Sequence, residues 1–170
     1  MSAGGKAAGS AVAAGLILAA MGGHGVKLGH LGSDLTTAAH HLGGGTISGN
    51  APVGARKAYL ALRRAGLSRH AALILTAIGG VESNWNTRAL NNDPATGDYS
   101  VGVWQVNYFG SLDGPRTAEF GSPARLSGRL RRQAHAVFVL YGQAGFGPWE
   151  PDITSGKISA YMAQAEAAAR

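Results

Sequence analysis

Apolar and polar positions along the chain fall into blocks that predict a set of helices. Over 55–65, Tyr59, Leu60 and Leu62 are set among Arg56, Lys57, Arg63 and Arg64, the pattern of an amphipathic helix that Gly66 would end. Ser68 offers an N-cap for a second helix over 69–83. That segment is apolar nearly all round, with Ala71, Ala72, Leu73, Ile74, Leu75, Ala77, Ile78 and Val81, which predicts a central buried helix. Residues 84–99 read as a polar loop, and 100–108 alternate loosely enough for an extended segment. Leu126, Leu130, Ala134, Val137, Phe138 and Tyr141 recur at three and four, giving a longer helix that Gly142 and Gly145 would end. After a loop at 145–149, a last helix runs from about Lys157, with Ile158, Tyr161, Met162 and Ala165 on one face. The fold class is mainly α, with at most a small β element.

Composition divides the 170 residues in two. Thirteen of the 27 glycines lie in 1–50, and no aromatic residue precedes Tyr59. Without rings, a Gly/Ala-rich segment buries too little surface to offset its ordering entropy. Residues 1–50 therefore read as an arm and linker, and 51–170 as a folded domain. Within the arm, residues 7–23 are uncharged and carry Val12, Leu16, Ile17, Leu18 and Met21 behind Lys6. Three readings stand for this stretch: a membrane-interacting or anchoring helix, a signal core with Ala20-Met21-Gly22 as cleavage site, or a plain arm. His24, His30, His40 and His41 follow in the linker at spacings that fit no familiar metal site.

Charge and cysteine usage narrow the chemistry. With no Cys there is no disulfide framework, thiol nucleophile or Cys-ligated zinc. The net charge of +6 favours anionic partners. Nucleic acid is not expected, because the arginines are scattered and the aromatics are not interleaved with them.

Glu82 stands out against this background. It closes the apolar helix on the face of Ile74, Leu75 and Ile78. Desolvation and the negative end of the helix dipole both disfavour its anion. A carboxyl still protonated near neutrality is what a general acid needs. The competing reading is a structural Glu paired with Arg88 or Arg116. Around it, Gly79, Gly80 and Gly102 would let a ligand approach the backbone. Trp85, Trp104, Tyr108 and Trp149 offer faces for sugar stacking, or else core packing. Gln105 and Asn107 could bond hydroxyl and acetamido groups.

These residues stand in an order that resembles a known family. Glu82-Ser83 ends a helix, Ala89 follows, then Ser100 with Gly102-Val103-Trp104-Gln105, and a later helix carries Tyr141. This is similar to the lysozyme-like superfamily, in its soluble lytic transglycosylase and goose-type lysozyme branch. Gly97 to Gly102, Trp104 to Asn107, Arg116, Phe120-Gly121 and Gly145 to Trp149 bring it nearest to phage tail and virion-associated lysin domains. The resemblance spans about residues 69–162. Val103-Trp104 replaces the Leu-Met of many transglycosylases, and nothing in 1–50 belongs to the family.

The resemblance implies a lysozyme-like α(+β) domain that cleaves peptidoglycan at the β-1,4 bond between N-acetylmuramic acid and N-acetylglucosamine. Glu82 would be the general acid. Asp98 is the candidate second carboxylate a hydrolase would use, whereas a transglycosylase closing a 1,6-anhydro ring needs none. The implied substrate-binding set is Ser83, Ser100, Gly102, Trp104, Gln105, Asn107, Tyr141 and Trp149. No metal or cofactor is implied. The partners implied are glycan strands, a membrane through residues 7–23, and other virion proteins. The place of action is outside the cytoplasm, reached by export, a membrane anchor or a virion. A non-catalytic virion or wall-binding protein on the same frame is the alternative. An amidase or peptidase is disfavoured, as Gly-x-Ser-x-Gly and His-Glu-x-x-His are missing.

Overall fold

The computed structural model describes residues 49–170, so the readings for residues 7–23 and the linker histidines lie outside the described residues. Those described are mainly helical, with one small three-stranded antiparallel sheet. Helix α1 (Gly54–Ala65) buries Ala58, Tyr59, Ala61 and Leu62, and ends at Gly66 in the left-handed region, φ 108°. Helix α2 (Arg69–Ser83) starts where the Ser68 hydroxyl accepts a 3.1 Å hydrogen bond from the Ala71 N–H. Ala71, Ala72 and every residue from Leu75 to Gly80 are buried, as the apolar pattern predicts, whereas Leu73, Ile74 and Val81 are only partly covered. The Asn84 and Trp85 N–H groups bond back to Gly80 and Gly79, with both residues left-handed.

The segment read as a polar loop contains a hairpin. Strands β1 (Leu90–Asp93) and β2 (Asp98–Val101) pair antiparallel, with Leu90 opposite Val101 and Asp93 opposite Asp98. The turn between them makes it: the Asp93 side chain accepts from the Ala95 N–H, and Gly97 takes φ 73°. A two-residue β3 (Val106–Asn107) extends the sheet, the part of 100–108 that is extended beyond β2.

Helix α3 (Asp113–Phe120), not foreseen from the pattern, and the short α4 (Pro123–Leu126) lead into α5 (Leu130–Ala144). Leu126 thus belongs to α4, and Gly142 lies within α5 rather than ending it. A 3-10 turn (Gly147–Trp149) lies in the expected loop, a short helix α6 (Glu150–Thr154) that the pattern does not show follows it, and α7 (Ser159–Ala168) is the last helix. The core places α2 at the centre. On one side the indole N–H of Trp104 donates to the Leu75 carbonyl at 2.7 Å, and α1, α6 and α7 pack around the rest. Among the described residues, no helix is long and apolar enough to cross a membrane.

Candidate active site

The C-terminal end of α2 lies between two glycine-dependent contacts. A Cβ on Gly79 would stand 2.7 Å from Val103 and 3.0 Å from the Trp104 indole nitrogen. On Gly80 it would stand 2.3 Å from the Tyr161 ring and 3.0 Å from Trp85. The glycines expected to admit a ligand therefore admit neighbouring side chains. The same holds at Gly102, where φ is 84° and a Cβ would meet the Gln133 amide at 2.5 Å.

Glu82 projects from this clamped end, partly open to solvent. Burial is the largest cause pushing its carboxyl from the ordinary 4.5 up to about 8. The nearby Asp152 carboxylate adds to the rise. Asp98 adds further, and Lys157 opposes. The cations weighed as structural partners are engaged elsewhere. Arg116 donates to the Asn107 carbonyl, and the Arg88 side chain lies over Gly49 and Gly128.

Asp98 stands at the start of β2, half-buried, with one carboxyl oxygen accepting from Asn91 Nδ2 at 2.6 Å and the other from the Ser100 hydroxyl. Asp98 and Ser100 are two apart on one strand and Asn91 lies opposite Ser100, so all three share a face of the sheet. The structure thus brings Glu82, Asp98 and Ser100 to one region. Ser83 supports it from behind. Its hydroxyl donates to the Val103 carbonyl at 2.9 Å and accepts from the Asn86 N–H at 3.1 Å, tying the end of α2 to the segment after β2.

Several residues proposed for sugar contact hold the fold instead. Trp104 is fully buried and Trp149 is 3 % exposed, with its indole N–H bonded to the Trp104 carbonyl at 2.9 Å. Neither has a face left for a sugar. Trp85 and Tyr108 are also core residues, bonded to Thr76 and Gly121 carbonyls. Asn107 accepts from the Phe109 and Tyr99 N–H groups and donates to Gly97, which locks the hairpin. Gln105 folds back on its own turn to the Gly102 carbonyl at 2.8 Å. Tyr141 packs edge-on against Phe146, ring centres 5.0 Å apart.

Searched against known protein families, characterised proteins and solved structures, the chain matches none. The chemistry of this site rests on its own residues. Among the described residues no three His, Asp or Glu side chains converge as a metal site requires. The residue that sequence reasoning missed is Asp152. It follows directly on the Gly145–Trp149 motif, but nothing in its local spacing points to Glu82, seventy positions earlier.

Proposed function

We propose that residues 51–170 form a lysozyme-like domain that cleaves peptidoglycan glycan strands between N-acetylmuramic acid and N-acetylglucosamine, with Glu82 as general acid. The observation that carries the reading is Glu82 itself, a carboxyl at the end of a buried helix that burial and two neighbouring carboxylates hold protonated up to a pH of about 8. A group in that state can give its proton to a glycosidic oxygen at neutral pH. As the bond breaks, the proton passes to the leaving sugar and Glu82 becomes a carboxylate. It then takes a proton from the attacking hydroxyl, which is water in a muramidase or the muramoyl 6-hydroxyl in a transglycosylase. Asp98 on the hairpin is the second carboxylate for the hydrolytic route. The substrate lies outside the cytoplasmic membrane, so the domain acts there, delivered by export, by an anchor or by a virion.

A non-catalytic wall-binding or virion protein on the same frame is the second reading. It is favoured by the burial of Trp85, Trp104 and Trp149, which removes three aromatic platforms from any sugar cleft. Glu82→Gln decides between them. In the catalytic reading the variant loses at least about 99 % of its activity on purified peptidoglycan; retained clearing sinks it. Mass spectrometry of the wild-type products then separates anhydro ends from reducing ends. Membrane flotation with and without residues 1–30 tests the anchor.

A further inference from the structure

Asp152 is a buried carboxylate that its surroundings do not satisfy. It lies in α6 and is 8 % exposed. One oxygen stands 3.8 Å from Lys157 Nζ, and that lysine side chain is 64 % exposed. The other oxygen, Oδ2, is buried with no hydrogen-bond partner. A carboxylate in that condition is costly unless a donor reaches it. The group facing it from α2 is Glu82. Two carboxylates side by side repel, whereas a carboxylic acid beside a carboxylate supplies the missing donor.

The other groups around the pair are few. Asp98 faces it from the hairpin, and Lys157 from the turn after α6. From α7 comes Tyr161, whose ring packs on Gly80 and Trp85. The α1 cations Arg56, Lys57, Arg63 and Arg64 are exposed, with Arg56 bonded to the Ala168 carbonyl.

We propose that Asp152 is a positioning residue whose Oδ2 accepts the Glu82 carboxyl hydrogen, keeping Glu82 protonated and its O–H aimed until a substrate oxygen competes for it. The inference rests on Glu82 being the general acid. When Glu82 gives its proton to the leaving oxygen, two adjacent carboxylates remain. Their repulsion makes Glu82 the stronger base for recovering a proton from the incoming hydroxyl. Lys157 limits that repulsion from the solvent side.

The test is the pH profile of kcat/KM on purified peptidoglycan. In Asp152→Asn the charge is gone and the amide can donate to the Glu82 carboxylate. The basic limb should move by about one pH unit or more toward acid, which for a one-unit shift is about a fivefold loss at pH 8 relative to wild type and approaches tenfold above pH 9. Lys157→Met, at an exposed side chain, should move it the opposite way and stands in should Asp152→Asn fail to fold. A purely structural Asp152 would lower rates equally at every pH, and an unmoved limb in either folded variant overturns the proposal. Difference infrared titration of the Glu82 carboxyl, assigned by its loss in Glu82→Gln, reads the same shift without turnover. A shifted titration in a protein that cuts no glycan sinks the catalytic reading alone. An active protein with an unmoved titration sinks only the role of Asp152.

Discussion

Replacing the acid should stabilise the protein, and by an amount that depends on pH. Glu82 has a folded-state pKa near 8 against an ordinary 4.5. The stability of the protonated side chain is therefore fully present below about pH 4.5 and is lost as pH rises through 8. Were the whole difference borne by Glu82, the loss would be roughly 5 kcal/mol. Part of the rise belongs to the pair with Asp152, and Glu82 is partly open to solvent, so about 1–3 kcal/mol is expected. Gln is close to a permanently protonated Glu in shape. Glu82→Gln should then match the wild type at pH 4 and exceed it by about 1–3 kcal/mol at pH 8–9, a urea midpoint higher by about 1 M for a domain of this size. The assay is urea unfolding followed by Trp fluorescence across pH 4–9. A stability gap that stays constant with pH, or a variant less stable at pH 8, would refute the claim that burial and neighbouring carboxylates hold Glu82 protonated. The gain expected at the acid is a trade of stability for chemistry.

Two further outcomes test the frame around the acid. Gln133→Leu should cost about 2–4 kcal/mol in the same unfolding assay, because the buried Gln133 amide accepts from the Val103 N–H at 3.0 Å and donates to the Thr87 and Leu126 carbonyls. The two carbonyls keep other donors, from Gly128 and Arg129, so the orphaned Val103 N–H carries most of that loss, and a cost under 1 kcal/mol would contradict it. Gly80→Ala should destabilise by about 1–3 kcal/mol and alter the near-ultraviolet circular dichroism, since its Cβ would sit 2.3 Å from Tyr161 and displace a ring that packs edge-on against Trp85. An unchanged aromatic spectrum would show that the contact is loose.

Helices whose boundaries are set locally were legible in the sequence. Arg69–Ser83 is framed by its own Ser68 cap and by apolar residues on every side, and the structure has those bounds. Glu82 was visible for the same reason, a carboxylate at the end of an apolar run. The hairpin was not visible. Leu90-Asn-Asn-Asp shows no apolar alternation, and its pairing comes from the Asp93–Gly97 turn and from Asn91 and Asn107 side chains that bridge backbone and carboxylate. Gly142 misled because a glycine on an open helix face costs only about 1 kcal/mol, which α5 packing overrides. The tryptophans misled because the domain has few large residues, and its core needs them. Asp152 could not be read at all, because its meaning arises only when α6 docks against α2.

The clamp on α2 also separates the motif from its chemistry. A peptide spanning residues 69–107 would contain Glu82, Ser83, Asp98, Ser100 and Gln105 in their full order. It would lack Asp152, Lys157 and the Tyr161 ring on Gly80, and with them the burial and the neighbouring charge. Its Glu82 would be an ordinary carboxylic acid, ionised at neutral pH. Grafting those residues onto another helix and hairpin transfers the letters and leaves the acidity behind, unless the host also brings a distant segment to close over the helix end.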